Sequence, residues 1–331
     1  MSSVSILMCS YNGDKLLSKT VNAISKIKIQ HLDYVEFVFV DNHSKNDLQK
    51  LVRSIWEETD TKIRLKTTHE IKRGKTAAFL TGFSLCEGEY VVVCDDDNEL
   101  FDNYLEEGWS YLQSRPEVGV LGACGIPKSE IKIPNWFTPY LNDFACGPQA
   151  SQTGDVFPGR NVVYGAGLWF RSSALKEALN RRFQFMFDYV KDNPTLKNRS
   201  NGGEDGELCW AIKYQGYEIH YLDTLRFNHL IDKEKFSPEY LKRIKSRKTS
   251  CTLLSQVYRR AYSMQEEKVQ HYWKKELFFL FLHYFKNFQF NLSYLKDETS
   301  RNISNLNFLL TYRSKYDAIY NHLLSYKQNF K

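Results

Sequence analysis

The chain has 331 residues, 42% of them apolar and 25% charged, a balance that suits a globular protein with a full core and excludes a disordered or fibrous chain. Its net charge of +6 is unevenly spread: residues 246–331 hold 14 Lys/Arg against 6 Asp/Glu, which leaves 31 against 33 in residues 1–245. The seven cysteines form no CxxC pair, so zinc-ribbon and thioredoxin-like readings fall away and free thiols of a reducing compartment remain.

The opening, MSSVSILMCSYNG, carries no basic leader pattern, which points to the cytoplasm. An apolar strand at Val4–Met8 runs into Ser10-Tyr11-Asn12-Gly13, and a helix follows with Leu16, Leu17, Val21 and Ile24 on one face. A second strand, Val35–Val40, ends at Asp41-Asn42, and a second helix runs through Leu48, Leu51, Val52 and Ile55. The third strand, Ile63–Lys66, precedes Gly74 and a helix through Ala77, Ala78, Leu80 and Phe83. The fourth, Glu89–Cys94, ends in Asp95-Asp96-Asp97. Short apolar strands alternating with amphipathic helices predict a mostly parallel α/β sheet with helices on both faces. Ligands of such sheets bind beyond the carboxyl ends of the strands, where all these polar clusters fall.

Between 120 and 170, recurrent Gly and Pro with aromatics at Trp136, Phe137 and Tyr140 predict acceptor-side loops with short strands. A strand-like VVYGAGLWFR at Val162–Arg171, a helix at Ser173–Asn180 and a polar loop at Asn193–Gly203 follow. A helix from Glu204 to Gln215 is stopped by Gly216, and a strand at Tyr217–Leu222 leads to Phe227-Asn228-His229. The expected division is an α/β domain over residues 1–245 and a basic, aromatic helical tail over 246–331.

Three constellations could carry chemistry. The Asp95–Asp97 triplet offers hard oxygen ligands for Mg²⁺ or Mn²⁺, and strand alternation would turn Asp95 and Asp97 to one face. In Gly202-Gly203-Glu204-Asp205-Gly206-Glu207, acids in a first helical turn suit the macrodipole, and the preceding glycines allow close backbone access, so a carboxylate here could serve as a general base. An imidazole at His229 beside carboxylates would favour Mn²⁺. Arg73-Gly74-Lys75-Thr76 mimics the end of a P-loop, but His69 stands where its first Gly belongs. No GxGxxG occurs, which argues against a dinucleotide enzyme.

The order SYNG, VDN, RGKTAA, GEYVVVCDDD, GAG-x-x-x-R, GED-x-E-L and a late His resembles the family 2 glycosyltransferases of GT-A fold, over residues 4–232 and in the style of bacterial surface-polysaccharide enzymes. The resemblance implies that Ser10, Tyr11 and Asp41 hold the nucleoside, with Tyr11 stacking on the base, and that Arg73 and Lys75 lie near base or diphosphate. It implies Asp95 at ribose and metal, Asp97 and His229 as metal ligands, Asp205 as catalytic base and Glu204 beside it. Trp136, Gly165 and Gly167 would face the acceptor. Asn98 stands where the family often has a further acid. The implied reaction is inverting, metal-dependent transfer from a nucleotide-sugar to a glycan or lipid-linked hydroxyl. A sugar-1-phosphate nucleotidyltransferase would need a Gly-rich loop in place of SYNGDK, and a non-catalytic carbohydrate-binding protein would not need both acid clusters.

The tail places Lys268, Lys274, Lys275 and Lys286 around Leu277–Leu282, an apolar run far short of the ~18 residues that span a bilayer. It would pack on the main domain or a second subunit in a homodimer, or rest on the inner face of the cell membrane. No nucleic-acid recognition module accompanies the charge.

Overall fold

The computed structural model describes residues 2–157, 159–187, 203–263, 269, 271–288, 303 and 305–329, without the side chains of 246, 247, 249, 250 and 283–288. The loop expected at 193–203 lies outside these residues except for Gly203, as do Gly202, Lys268 and the side chain of Lys286.

Nine strands form a single sheet: β1 (Ser3–Ser10), β2 (Tyr34–Asp41), β3 (Arg64–His69), β4 (Tyr90–Val93), β5 (Asn98–Leu100), β6 (Val118–Lys128), β7 (Gly154–Asp155), β8 (Leu168–Arg171) and β9 (Glu218–Leu230). Their order is β3-β2-β1-β4-β8-β6-β9-β5, with β7 paired to β9. The half containing β3, β2, β1 and β4 is parallel. β8 then reverses direction, and β6 and β9 run parallel to each other. β1 and β2 are buried almost throughout, which is why VSILMC and VEFVFV read as continuous apolar runs rather than alternating ones.

The connections of the parallel half are α1 (Asp14–Ser25), α2 (Leu48–Glu57) and α3 (Lys75–Phe83). α1 buries Leu17, Val21 and Ile24 along one stripe, and α2 begins where Asp47 accepts from the Lys50 N–H at 2.9 Å. Further on come α4 (Tyr104–Gln113), α5 (Ser172–Asn180) and α6 (Glu204–Lys213). α6 is two residues shorter than its pattern suggests, because its last turn tightens: Gln215 donates to the Ile212 carbonyl and Gly216 to that of Lys213.

Two elements differ from expectation. The stretch from 118 holds an eleven-residue strand, β6, whose Gly122 and Gly125 accept close neighbours from Val163 and Phe227. Asn135–Phe144 is a 3₁₀ helix rather than a loop, seating Phe137 and Phe144 in a small core with Ile231 and Cys146.

The described part of the tail includes α7 (Pro238–Ser263), α8 (Tyr272–Phe288) and α9 (Arg313–Gln328). The expected division at 245/246 falls inside α7, a continuous helix. Leu254, Val257, Tyr258, Tyr316 and Tyr320 share one core with Phe183, Trp210 and Tyr214 of the α/β part. Hydroxyls stitch the seam: Tyr214 donates to the Tyr258 carbonyl at 2.9 Å, Tyr326 to that of Ala211 at 3.2 Å, and Tyr258 to Glu207 Oε1 at 2.5 Å. On α8, Leu277 and Leu280 pack against this core while Phe278, Phe279, Phe281 and Leu282 are exposed. Among the described residues no helix is long and apolar enough to cross a membrane.

Candidate active site

The carboxyl ends of β1, β2 and β4 gather the polar residues. Asp41 is buried and accepts from the Ser44 N–H at 3.0 Å, which shapes the turn after β2. Tyr11 is half exposed, and the Arg73 guanidinium lies 5.9 Å from its ring centroid, leaving an aromatic face with a cation beside it for a planar base. Asn42 holds the Arg73 loop in place: its amide donates to the carbonyls of Glu70 and Lys72 at 3.2 and 2.8 Å, and its oxygen accepts from Gly74 N–H at 2.9 Å. Gly74 takes a φ of 136° to start α3, a conformation suited to glycine.

The aspartate triplet does not continue the strand. β4 ends at Val93, and Asn98 N–H donates to the Asp95 carbonyl at 3.0 Å, closing a turn. Asp95 and Asp97 therefore do not share a face as strand alternation predicts; the three carboxylates point three ways. Asp95 meets Lys75 at 2.9 Å. Asp96 turns back to accept from the Ser10 hydroxyl and packs where any side chain on Gly13 would collide with it. Burial first, and then neighbouring Asp97, push Asp96 up to about 6. Asp97 receives Lys235 at 2.7 Å and His229 Nε2 at 3.3 Å on the same oxygen, Oδ2. Asn98 clamps the turn, donating to Asp97 and accepting from the Asp95 N–H.

Sheet register brings His229 here. β9 continues past Leu222 to Leu230 and pairs antiparallel with β5, setting Asn98 opposite His229. Burial opposes charge on both partners of the His229–Asp97 pair. Their attraction overcomes it, lifting His229 to about 10, and together with Lys235 it holds Asp97 well below the usual carboxylate range.

The second acid cluster opens α6 and faces the first. Lys75 bridges them, 2.9 Å from Asp95 and 3.1 Å from Glu204. Burial works against this ammonium, yet Asp95 and Glu204 keep it charged, well above the ordinary lysine value. Burial and then Asp205 push Glu204 upward against the pull of Lys75. Asp205 is aimed by backbone: Oδ2 accepts from Gly165 N–H at 2.9 Å and Oδ1 from Gly206 N–H at 2.8 Å. A Cβ at residue 165 would press on that of Asp205 at 3.1 Å, so glycine eases the close approach. Lys75, Asp95, Gly165, Glu204 and Asp205 line one pocket with Cys9, whose thiol burial holds well above its ordinary pKa.

Two residues expected at the acceptor make packing contacts. Gly167, at φ 69°, gives its carbonyl to the buried Tyr104 hydroxyl, and a Cβ there would meet Tyr104 and Phe227, so it is a packing position. Trp136 is half buried in the small core beside Phe137, Tyr140 and α7. Asn42 and Lys235 were not singled out from sequence; the VDN motif contains the first, and no local pattern marks the second.

A divalent cation would find only a partial set of protein donors here. Asp97 has an oxygen to offer, and His229 would offer a nitrogen only after losing the proton it gives to Asp97; Mg²⁺ is often held by one or two carboxylates with phosphates and water completing its shell. Asp95 is engaged by Lys75, and among the described residues no group of three or more His, Cys, Asp or Glu side chains is placed to hold a metal ion.

The model of the family described as "Glycosyl transferase family 2" matches residues 5–179, more than half of the chain. The poly(ribitol-phosphate) beta-N-acetylglucosaminyltransferase TarP of Staphylococcus aureus is 22% identical over 134 residues, 40% of each chain. A GalNAc(5)-diNAcBac-PP-undecaprenol beta-1,3-glucosyltransferase of Campylobacter jejuni is 28% identical over 131 residues, 39% of this chain and 40% of that one. These matches thus span about two-fifths of each relative's length. Residues 1–349 of S. aureus TarS, solved with UDP-GlcNAc, superpose with a TM-score of 0.55 at 14% identity, over 98% of this chain and 90% of that one. That likeness shows a shared GT-A-type fold.

Proposed function

The chain belongs to glycosyl transferase family 2, and on that premise we propose that it moves a sugar from a nucleoside diphosphate donor to a hydroxyl of a glycan or lipid-linked acceptor. The observation that carries this reading is the single pocket in which Asp95 and Lys75 meet Glu204 and the backbone-aimed Asp205. Tyr11 and Arg73 would receive the base, with Asp41 shaping the turn beside it.

The step is a single inverting displacement. The acceptor oxygen attacks the anomeric carbon, its proton passes to Asp205, and the bond to the diphosphate oxygen breaks. Lys75 and Arg73 would oppose the charge that develops on the leaving diphosphate, in a site dry enough for charges to count. Asp97 and His229 would hold Mg²⁺ or Mn²⁺, which supplies further charge neutralisation when bound. Positioning of both substrates contributes as much as ~7–11 kcal/mol in well-aligned reactions of this kind.

The structure solved with UDP-GlcNAc and the names of the two relatives put UDP-GlcNAc and UDP-glucose first in a donor panel. With Mn²⁺ present, one of the panel should raise the melting temperature and be hydrolysed slowly to free sugar and nucleoside diphosphate. A nucleotidyltransferase would instead release nucleoside triphosphate from nucleotide-sugar plus pyrophosphate, and a binding protein would stabilise without turnover. Either result would end the proposal.

The tail would bring this site to a lipid-linked acceptor. The described part of α8 exposes Phe278, Phe281 and Leu282 beside Lys274, and its acid, Glu276, is buried against Arg260. Such a face matches an anionic bilayer. Full-length protein should pellet with anionic liposomes at low salt and stay in solution as Phe278→Ser/Phe281→Ser; equal pelleting of both would refute the contact.

A further inference from the structure

The cation that sits on Asp97 is a lysine from a distant part of the chain. Lys235 ends a short 3₁₀ turn, Lys233–Lys235, whose first N–H groups are capped by Asp232. That turn is tied down on its other side, where Lys15 in the first turn of α1 pairs with Glu234 at 2.9 Å and with Asp232 at 3.5 Å. The segment after β9 thus links the first turn of α1 to the aspartate turn.

Lys235 Nζ and His229 Nε2 converge on one oxygen, Asp97 Oδ2, at 2.7 and 3.3 Å. A divalent ion held by Asp97 and His229 needs the same lone pairs. Both nitrogens already crowd that oxygen, so a metal entering there would take the place of the Lys235 ammonium, while His229 would give up its proton and turn the same nitrogen to the metal. Lysine is suited to this displacement, since its ammonium rides on a flexible four-carbon stem and can leave without moving the backbone.

We propose that Lys235 is a built-in counter-cation for Asp97, which a divalent metal must displace, and that the displaced ammonium then serves the donor's diphosphate. The proposal rests on the reading of Asp97 and His229 as the metal-binding pair. Lys235 keeps Asp97 compensated when no metal is present, so the turn does not spring open through repulsion among three adjacent carboxylates. The exchange also ties metal entry to donor binding: the phosphates that complete the metal's shell supply the new partner for Lys235. Lys235 is a positioning residue in the free protein and a binding residue in the loaded one.

The experiment is a Mn²⁺ titration of the full chain, followed by electron paramagnetic resonance of the free ion, on wild type, Lys235→Met, Lys235→Arg and Asp97→Asn. Thermal melts show that each variant is folded. Without nucleotide, Lys235→Met should bind Mn²⁺ about tenfold tighter or more, the effect of removing one charge-assisted competitor. Lys235→Arg should stay near wild type, and Asp97→Asn should lose the site. With saturating Mn²⁺, UDP should bind Lys235→Met several-fold more weakly than wild type. Equal or weaker Mn²⁺ affinity in Lys235→Met, with Asp97→Asn still losing the site, would overturn the exchange while leaving the metal pair intact. Unchanged Mn²⁺ binding in Asp97→Asn would overturn the metal pair itself, and the exchange with it.

Discussion

At the amino ends of β1, β2 and β4, the buried carboxylate of Glu36 accepts from Ser5 at 2.5 Å, the Glu87 N–H at 2.6 Å, Tyr34 at 2.9 Å and Lys66 at 2.7 Å. At the carboxyl ends of the same strands, Asp95, Asp96, Asp97, Glu204 and Asp205 crowd around Lys75, Lys235 and His229. One end has a buried carboxylate with four donors, the Lys66 ammonium among them; the other has five carboxylates with three cationic partners. The first arrangement is complete in itself, as a structural buried charge must be. In the second, burial first and neighbouring carboxylates next leave Asp96 and Glu204 with raised affinities for protons.

Neutral substitutions at the two ends should therefore separate activity from stability. The largest effect belongs to the carboxyl end. Asp205→Asn keeps the size but removes the proton acceptor and sets an amide nitrogen against the Gly165 or Gly206 N–H, and transfer per folded molecule should fall by ~10²–10⁴-fold with donor binding retained. Steady-state rates together with donor titration check this, and near-normal turnover would remove Asp205 from the base role.

Glu36→Gln tests the other end. Its amide nitrogen would face donors that need an acceptor, so stability should drop by about 1–3 kcal/mol while turnover per folded molecule stays unchanged. Urea denaturation read against activity separates the two; a large loss of turnover in fully folded protein would mean that the ends are coupled.

The smallest effect is the pH dependence of the Glu36 contribution. Burial alone would raise its pKa, but the Glu87 N–H, Lys66, Ser5 and Tyr34 outweigh burial and depress it. A depressed carboxyl contributes stability above its unfolded value of ~4.3, and that contribution is lost as pH falls through the folded value. The stability gap between wild type and Glu36→Gln should be full at neutral pH and narrow on acidification below that unfolded value. A gap that stays constant into acid would show that Glu36 stabilises by shape rather than charge.

Much of this was legible in particular residues. The runs VSILMC, VEFVFV and YVVV announced the parallel half of the sheet, SYNG and VDN marked its functional rim because polar residues end apolar strands there, and GED marked the first turn of α6. Other features were not. Strand alternation put Asp95 and Asp97 on one face, and a turn closed by Asn98 separated them. Arg171 of the GAG-x-x-x-R motif proved to be a strut, donating to the carbonyls of Val118, Leu112 and Arg115. Tyr258 gave no sign in the sequence that it would cap Glu207, one turn-neighbour of the proposed base, and so bind the tail to α6.

Local pattern by itself determined the α/β alternation, the strand ends at which ligands would meet the sheet, and the two acid clusters with their glycines, because each depends on residues adjacent in sequence. Tertiary structure alone decided which charges meet. Lys75 lies between Asp95 and Glu204, 109 positions apart in the chain, and Lys235 reaches Asp97 across 138. His229 arrives opposite Asn98 only through the pairing of β5 with β9. Charges act through space at a few ångströms, and the chain folds back through sheet register and helix packing, so no spacing within the sequence carries those distances.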